Sequence, residues 1–381
     1  MRNESCRPII QTLLDHVADA TSWQTEELAV DARTYVDPDT LQQELRLFNS
    51  SPQVVGLSAD LAQPGSFITR DTLPVPTIIV RGEDGVVRGF ANVCAHRGAQ
   101  VVGESRGSCR RMVCPYHAWV YRTDGSLVGV PDRGAFPSVE VPGPGMAELP
   151  TIESDGLIWL IPDMAGELTK APDLGPIGDD FKTFNISDHY HWRTHRFNLP
   201  INWKLVIDTF LEPYHFAALH KNTVGPLFFP NLCYADRHGP HVREVLPRRS
   251  LAELAEQEPS SWDLIPHSAL VYVLFPGTVL VMQIDHIETW RTRPDPTDPA
   301  KSICDLDFYI PNGPMTDSAL RHWERNWKLT IDTVIDEDFE AMAGAQRGLS
   351  ARGITQMRFG ANEPALAMFH TSLSEALAAL A

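Results

Sequence analysis

The sequence predicts an α+β protein in which an all-β module accompanies a larger domain of antiparallel strands and helices. Between about residues 50 and 160, short apolar runs are separated by Gly, Asp and Pro, a texture typical of short strands joined by turns. A connector rich in Pro, Gly and Asp follows at residues 162–180 and indicates a domain boundary. Beyond the connector, helix and strand signals alternate without a regular βαβ period, which argues against a doubly wound parallel sheet.

Hairpin signatures define the all-β module. In VPTIIVRGEDGVVRGFANV, two β-branched runs are joined at Asp84-Gly85, and in HAWVYRTDGSLVG the turn is Asp124-Gly125. Asp-Gly between alternating apolar runs is a strong hairpin signal. The segment DGLIWLIP predicts a further strand that ends the module.

The predicted organisation has three parts. Residues 1–48 form an N-terminal helical segment that packs on the larger domain, residues 49–161 form the all-β module, and residues 162–381 form the larger domain. In this last part, the apolar stretch at residues 269–282 predicts two buried strands around a turn, because it contains Pro276 and Gly277. The clearest late helix is predicted over residues 320–346.

Composition and charge exclude several classes of function. The 381 residues include 32 Lys+Arg and 49 Asp+Glu, which gives a formal charge of −17 and argues against binding to nucleic acid or anionic membrane. The longest apolar stretch has 14 residues, too few to span a bilayer. Charges occupy the position where a signal peptide would need an apolar segment. We therefore expect a soluble cytoplasmic protein.

The all-β module contains a cluster of metal-binding residue types. Cys94-x-His96 is followed after 17 residues by Cys114-x-x-His117, so two short loops each offer a thiolate and an imidazole. Two Cys and two His suit tetrahedral zinc, and they also suit a [2Fe–2S] cluster in which two His replace two Cys on one iron. Both halves are mixed, with Cys first and His second. This order favours the cluster, because each loop then sends one thiolate to one iron and one imidazole to the other.

A second group of metal-binding residues lies in NWKLVIDTFLEPYHFAALH, residues 202–220. If this segment is helical, Asp208, Glu212 and His215 fall within about 60° of one another on one face. His220 joins them only if the helix ends or distorts, which Pro213 favours because it lacks a backbone donor. An ordinary amphipathic helix with solvent-facing polar residues is the alternative.

A distant carboxylate favours the metal-binding interpretation. In the predicted late helix, Asp338 lies on the apolar stripe, whereas Asp332, Asp336 and Glu340 form the opposite face. A buried carboxylate is costly unless it is paired or binds a metal. Two His and one carboxylate form the facial triad of non-haem Fe(II) oxygenases.

The two groups together give the chain a specific resemblance. NVCAHRGAQ and CPYHAWVY resemble the cluster-binding loops of the terminal oxygenase (α) subunits of Rieske non-haem iron oxygenases, the ring-hydroxylating dioxygenase family. Ala118 stands where the usual second loop has Gly. The resemblance covers about residues 35–370, and it implies a Rieske [2Fe–2S] domain and a catalytic domain of the helix-grip type.

The resemblance also implies roles for individual residues. Cys94, His96, Cys114 and His117 are the implied ligands of one Rieske cluster, and His215, His220 and Asp338 those of one mononuclear Fe(II). Asp208 and Glu212 are the implied catalytic residues, and Asp208 matches a position near the iron. Glu212 matches the acid that connects the two metal centres. Glu at this place is similar to oxygenases of choline, betaine and carnitine, although these usually read LECYHC where this chain reads LEPYHF.

The family's chemistry defines the expected activity and partners. The resemblance implies a Rieske-type mono- or dioxygenase that uses O2 to hydroxylate or demethylate a small organic substrate, either aromatic or resembling a quaternary ammonium compound. Electrons would come from an NAD(P)H-dependent reductase or a ferredoxin, since no flavin or nicotinamide motif is visible in this chain. The family works as a head-to-tail ring, usually a homotrimer, in which electrons pass between subunits.

The predicted pocket draws on apolar residues near the iron and the central strands. The candidates are Phe210, Phe216, Leu227, Tyr272 and Met282. Aromatic walls suit either an arene or an alkylammonium cation. Two other functions remain open from the sequence: a Rieske-type electron carrier with an added domain, and a zinc-stabilised binding module.

Overall fold

The computed structural model of the chain describes residues 6–21 and 24–380. The chain divides into two compact units. The larger one combines Met1–Leu47 with Asp173–Ala381, and the smaller one is Phe48–Pro172. Residues 1–5, 22, 23 and 381, which belong to the predicted terminal parts, lie outside the described residues. The domain boundaries predicted from the sequence stay predictions.

Helices are concentrated in the larger unit. The α-helices of the described residues are α1 Arg7–Asp19, α2 Pro38–Ser50, α3 Pro176–Phe184, α4 Trp203–Asp208, α5 Asp317–Thr330, α6 Glu340–Ser350 and α7 Pro364–Ala379. A π-helical segment, Ile331–Phe339, joins α5 to α6. Short 3-10 helices lie at Ala32–Tyr35, Ser58–Leu61, Arg133–Ala135, Ile186–Asp188, Arg249–Glu256, Pro259–Ser261 and Ile265–His267.

Strands occur in both units. They are β1 Leu28–Asp31, β2 Gln53–Leu57, β3 Ser66–Arg70, β4 Thr77–Arg81, β5 Val87–Ala91, β6 Arg106–Ser108, β7 Met112–Val113, β8 Val120–Tyr121, β9 Leu127–Gly129, β10 Glu148–Leu149, β11 Thr151–Ser154, β12 Leu157–Leu160, β13 His189–Leu199, β14 Tyr234–His238, β15 His241–Pro247, β16 Ser268–Leu274, β17 Thr278–Met282, β18 Ile287–Pro294, β19 Ser302–Pro311 and β20 Gln356–Phe359. All pairs between them are antiparallel.

The smaller unit is built from three antiparallel sheets. Their strand orders are β10-β5-β4-β3-β6, β11-β12-β2 and β7-β8-β9. The predicted hairpins are confirmed, because β4 pairs with β5 across Asp84-Gly85 and β8 pairs with β9 across Asp124-Gly125. One of its hydrophobic clusters contains Cys94 together with Cys114. The all-β module therefore places both thiols inside its core.

A seven-stranded antiparallel sheet dominates the larger unit. Its order is β13-β19-β18-β17-β16-β15-β14, and β1 pairs with β20 in a separate two-stranded sheet. Every residue of β16 and β17 is buried, which explains why the apolar stretch in this region shows no alternation. The prediction of two buried strands around a turn is confirmed, and so is the predicted α+β fold class with its antiparallel sheet and helices.

The helical wheel that groups Asp208 with Glu212 and His215 does not apply, because residues 202–220 are helical only at the start. Helix α4 ends at Asp208, and tighter turns follow, such as the bond from the Leu211 N–H to the Asp208 carbonyl at 3.2 Å. Pro213 has no N–H to continue the helical ladder, so the chain turns instead. Glu212 and His215 therefore do not share a helix face with Asp208.

The predicted late helix is present, but it is not a regular α-helix along its whole length. Residues 317–350 are helical throughout, and the part that carries Asp338 is the π-helical segment. π-Helical turns are rare and often lie at functional sites. Asp338 is buried, as its place on the apolar stripe predicts. None of the described helices combines the length and apolar composition needed to cross a membrane.

Candidate metal centres and substrate cavity

Two loops of the smaller unit repeat the same backbone hydrogen bonds. The Cys94 N–H donates to the Ala99 carbonyl at 2.7 Å, and the Gly98 N–H donates to the Cys94 carbonyl at 2.9 Å. In the second loop, the Cys114 N–H donates to the Trp119 carbonyl at 2.9 Å, and the Ala118 N–H donates to the Cys114 carbonyl at 3.0 Å. Each loop thus closes a tight turn around its cysteine, as expected for matched ligand loops.

The side chains of these loops form a set suited to a [2Fe–2S] cluster. The cysteines are buried, whereas His96 and His117 are partly exposed, with ring centroids 4.5 Å apart. The Nδ1 of His96 is buried and forms no hydrogen bond within the described residues, as a metal ligand would require. Two thiols and two imidazoles are the donor set of a Rieske cluster, so the residues fit that cofactor.

Tyr121 adds a hydrogen bond to one of the sulfurs. Its hydroxyl oxygen accepts the Ala95 N–H at 3.0 Å and lies 3.2 Å from the Cys94 Sγ. A cysteine that binds a cluster is a thiolate without a proton, so with the cluster bound the Tyr121 hydroxyl is the donor and the sulfur the acceptor. Hydrogen bonds to cluster sulfurs help to set the reduction potential.

One position differs between the two loops. The fourth residue after each cysteine has a left-handed backbone, with φ of +74° at Gly98 and +55° at Ala118. Glycine adopts this conformation without strain, whereas in a residue with a Cβ steric strain raises the backbone energy. Ala118 is the departure from the family pattern noted in the sequence, and it retains the glycine-type geometry.

In the larger unit, His215, His220 and Asp338 bring three potential ligand atoms together. The two Nε2 atoms lie 3.0 Å apart, and the Asp338 Oδ1 lies 3.3 Å from the first and 3.1 Å from the second. Three ligands about 2.1 Å from a metal, on adjacent corners of an octahedron, are about 3.0 Å apart. This buried Oδ1 forms no hydrogen bond within the described residues. The three residues therefore fit a facial metal site.

Carboxylates orient both imidazoles. His215 donates its Nδ1 proton to Glu212, which also accepts the His215 backbone N–H at 3.0 Å. His220 donates from Nδ1 to the Glu337 Oε2 at 2.6 Å, and the Thr223 hydroxyl donates to the same oxygen at 2.6 Å. With a proton fixed on each Nδ1, both Nε2 atoms are free to bind a metal.

The electrostatics of this group favour positive charge. Burial alone would lower the pKa of His215, but Asp338 and Glu212 raise it to about 10. Burial also raises the pKa of the nearby Glu244, to about 8, so its charged form is disfavoured. Without a metal, the carboxylates of this site favour protonation of His215. A bound divalent cation would neutralise the same negative charge.

Asp208 belongs to a different hydrogen-bonded group. It accepts from the Tyr35 hydroxyl at 2.9 Å and from the His370 Nε2 at 2.9 Å, and all three residues are buried. This network joins α4 to α7 and to the N-terminal 3-10 helix. Asp208 is not among the residues that line the cavity beside the triad, and its catalytic role stays a prediction.

A cavity of about 300 Å³ opens beside the triad and has the size of a small-molecule site. Its apolar lining includes the predicted residues Phe210, Phe216 and Leu227. Further lining residues come from strands β15 to β18, helix α5, the π-helical segment and nearby loops: Phe228, Leu246, Arg248, Val271, Val281, Gln283, Asp285, His286, Glu288, His322, Asn326, Thr333 and Val334. Contact between substrate and any of these side chains stays a prediction.

The structure corrects the prediction for Tyr272 and Met282, which do not line the cavity. Side chains alternate along a strand, and Val271 pairs with Val281 on the cavity side. Tyr272 and Met282 therefore point to the other face, where the Tyr272 hydroxyl donates to Asp180 at 2.9 Å. Periodicity cannot show which face of a strand buried on both sides meets the cavity.

Three further residues at these sites are not predicted by the sequence motifs. Glu337 holds His220, Tyr121 touches Cys94, and Arg248 lines the cavity. An acid next to a predicted ligand was the available signal for Glu337. The other two have no local signal, because their contacts join residues far apart in sequence.

Comparisons with known proteins agree with this architecture. The family model for the Rieske [2Fe-2S] domain matches residues 51–142, and that for the ring hydroxylating alpha subunit (catalytic domain) matches residues 185–379. The oxygenase subunit of carnitine monooxygenase from Acinetobacter pittii is 26% identical over 331 residues, which are 81% of each chain.

Solved structures share the fold. One is a quaternary ammonium Rieske monooxygenase whose structure is described with carnitine oxidation by gut microbiota and inter-subunit electron transfer. Its TM-score is 0.75 at 22% sequence identity, and the match covers 91% of this chain and 94% of that chain. Naphthalene 1,2-dioxygenase from Rhodococcus sp. has a TM-score of 0.70 at 19% identity, over 100% of this chain and 99% of its own.

The fold and the two matched domains define an oxidoreductase of the Rieske type. Because the catalytic-domain model covers more than half of the sequence, the chain belongs to the family of ring-hydroxylating oxygenase alpha subunits. The resemblance of the cysteine and histidine loops to Rieske oxygenases is thereby confirmed.

The left-handed backbone at Ala118 leads to a stability prediction. Ala118→Gly removes backbone strain and should raise the free energy of unfolding by about 0.5–1 kcal/mol after the added chain entropy is counted. Gly98→Ala is the matched control. An added Cβ there meets no atom within 4 Å, so only backbone strain counts and a loss of about 1 kcal/mol is expected. Denaturant unfolding of the cluster-loaded protein measures both, and a destabilised Ala118→Gly protein would contradict the prediction.

The hydrogen bond from Tyr121 leads to a redox prediction. Tyr121→Phe removes a donor that stabilises the more negative, reduced cluster, so the reduction potential should fall by roughly 20–60 mV. Tyr116→Phe is the control, because its side chain is exposed. A redox titration followed by visible absorbance measures the shift. An unchanged potential in Tyr121→Phe would show that the hydroxyl does not act on the cluster.

Proposed function

We propose that this chain is the oxygenase component of a multi-protein system that uses O2 and supplied electrons to hydroxylate or demethylate a small organic substrate. The observation that carries the proposal is the triangle of His215, His220 and Asp338, whose ligand atoms lie 3.0–3.3 Å apart at the wall of a cavity. An electron carrier has no need of such a cavity. A structural zinc site is closed by four protein ligands, whereas three ligands leave positions open.

Two cofactors follow from this proposal. Cys94, His96, Cys114 and His117 hold one [2Fe–2S] Rieske cluster, and the facial triad holds one mononuclear Fe(II). When bound, the cluster supplies single electrons and the mononuclear iron supplies the centre at which O2 is used. The protein's own part is to fix both Nδ1 protons and to place the substrate.

The cavity walls perform the second task. Phe210, Phe216 and Leu227 provide an apolar surface that excludes water from the substrate's reacting end. Phe216 stands next to the triad, with its ring centroid 5.0 Å from that of His215 and 5.4 Å from that of His220. A substrate that packs on Phe216 is therefore held beside the metal ligands.

The similarity to a carnitine monooxygenase and the presence of Glu212 favour a quaternary ammonium substrate. The phenylalanine walls can accept a quaternary ammonium group through cation–π contact. An aromatic substrate, and hence a role in aromatic catabolism, is the second candidate. It is favoured by the fold shared with naphthalene 1,2-dioxygenase and by the same phenylalanine walls.

The proposed partners are a reductase or ferredoxin and further copies of this chain. The first supplies electrons from NAD(P)H. The second gives a homotrimer, in which the cluster of one subunit serves the iron of its neighbour. Support comes from a solved relative that is described with inter-subunit electron transfer.

Removing one ligand tests the mononuclear site. Purified wild-type protein should be red-brown and hold about three irons per chain, two in the cluster and one in the triad. Asp338→Ala should keep the colour and lose one iron, together with substrate-dependent O2 consumption. Asp336→Ala, two residues earlier on the same segment, should keep all three irons and the activity.

Metal analysis measures the iron content of each variant. O2 consumption with a surrogate reductase measures the activity on arenes, methoxyarenes and quaternary amines. A colourless zinc protein, or two irons per wild-type chain, would contradict the proposal.

Replacing Glu212 tests the coupling between the centres. Glu212→Gln keeps an acceptor for the His215 Nδ1 proton but removes the charge, so iron should remain bound while steady-state turnover falls at least tenfold. Glu337→Gln makes the same chemical change beside His220 and should have a smaller effect. Stopped-flow oxidation of the pre-reduced cluster, with substrate and O2 present, separates slow electron transfer from lost metal. Equal rates in Glu212→Gln and wild type would show that this carboxylate does not couple the centres.

A further inference from the structure

Charged side chains in the cavity are almost all paired with one another. Asp285 accepts from His322 at 2.7 Å and from His286 at 3.1 Å. Glu288 accepts from the Trp290 indole at 3.0 Å and from the Thr330 hydroxyl at 2.8 Å. His286 also contacts the Glu288 Oε1 through its Nε2 at 3.3 Å, so these groups form a connected network and both acids have hydrogen-bond partners within the protein.

Arg248 differs from these residues. It lines the same cavity, and no carboxylate of the described residues lies within ion-pair distance of its guanidinium. On the same sheet, Arg243 holds Asp180 at 2.8 Å and Asp236 at 2.5 Å, and Arg291 holds Asp307 at 2.6 Å. A partly buried arginine without an acidic partner is costly, which indicates that its counter-charge arrives with a ligand.

The guanidinium is held in one position without using all its donors. Its Nε donates to the Ser268 carbonyl at 3.3 Å and one Nη2 proton goes to the Gln283 Oε1 at 2.9 Å. It also lies 4.6 Å from the Phe228 ring centroid. A guanidinium has five N–H donors, so three remain for a ligand, including both on Nη1. A fixed fork with free N–H groups is the geometry that binds carboxylates.

The backbone fixes Arg248 relative to the triad. Arg248 forms a β-bridge with Phe228. The Phe228 ring lies 5.7 Å from that of Phe216, which lies 5.4 Å from that of His220. Two phenylalanine rings therefore separate the guanidinium from the metal ligands along one wall. A small molecule can lie along these rings with one end at Arg248 and the other at the triad.

The other ionisable groups of the cavity already have partners within the protein. Asp285 accepts from His286 and His322, Glu288 accepts from Trp290 and Thr330, and the Asp338 Oδ1 faces the two imidazoles of the triad. The guanidinium of Arg248 is therefore the cationic group of this cavity that still offers free donors to an anion.

We propose that Arg248 is an anion-binding subsite and that the substrate carries a carboxylate, which this guanidinium binds while the rest of the molecule lies along Phe228 and Phe216 towards the triad. This inference rests on the proposed function, because it names a feature of that function's substrate. It holds for an aromatic or an alkylammonium body alike.

Matched acids and analogues in which the carboxyl group is an uncharged amide or ester, called the neutral analogues, test the proposal by binding alone. The probes are 4-methoxybenzoate with 4-methoxybenzamide, and 4-(trimethylammonio)butanoate with its methyl ester. Isothermal titration of the metal-loaded wild-type protein should show, in at least one pair, that the acid binds roughly 10- to 100-fold more tightly than its neutral analogue. Arg248→Gln should abolish the preference by weakening the acid only, and Arg248→Lys should restore part of it.

Arg249→Gln is the matched control, because Arg249 is the exposed neighbour beside Phe229. It should leave the acid preference unchanged. A wild-type protein without preference in either pair would overturn the proposal, as would a preference that survives in Arg248→Gln. Equal loss of acid and neutral binding in Arg248→Gln would overturn it too, since that pattern indicates a purely structural arginine.

A separate turnover assay distinguishes this inference from the proposed function. If the acids bind through Arg248 but no substrate-dependent O2 consumption occurs, the anion subsite stands and the oxygenase proposal fails. If neutral substrates are oxidised and no acid preference exists, the oxygenase proposal stands and the anion subsite fails.

Discussion

The charge of one buried carboxylate constrains the larger unit more than any other interaction. Asp338 is 4% exposed, and its Oδ1 faces two imidazoles rather than a hydrogen-bond donor of its own. Glu212 and Glu337 add two more negative charges on the far sides of those imidazoles. With neutral histidines the group carries three uncompensated charges, which the interior tolerates poorly. Two protons or one divalent cation supply the same positive charge, and only the cation also satisfies both Nε2 atoms and the Oδ1.

The π-helical segment is the device that makes this arrangement possible. In an α-helix, successive side chains point about 100° apart, so neighbours face different directions. A π-helical turn is wider and reduces that angle. Glu337 and Asp338 therefore contact His220 from two sides, Glu337 at Nδ1 and Asp338 at Nε2. The irregular backbone after α4 completes the group, since a regular helix would carry His215 and His220 to different faces.

The sequence predicts much of this structure because most of the signals are local. The Asp-Gly turns define hairpins, the paired Cys and His loops define one candidate site, and the buried place of Asp338 indicates the other. The errors arise where backbone geometry departs from a regular period. A helical wheel places Asp208 beside Glu212, yet α4 ends at Asp208, whose side chain contacts His370 instead. Contacts over long sequence distances, such as that of Arg248 with Gln283, leave no trace in a local pattern.

The cavity also shows why the shape of a substrate alone is a poor guide to this enzyme. Phe210, Phe216 and Phe228 present ring faces and edges that pack equally well against an arene or a trimethylammonium group. A volume of about 300 Å³ restricts the size of the substrate and not its chemical class. The acidic residues in the wall are already paired, so they add little discrimination. Discrimination must therefore come from a group whose charge the protein leaves unbalanced, and in this cavity that group is the guanidinium of Arg248.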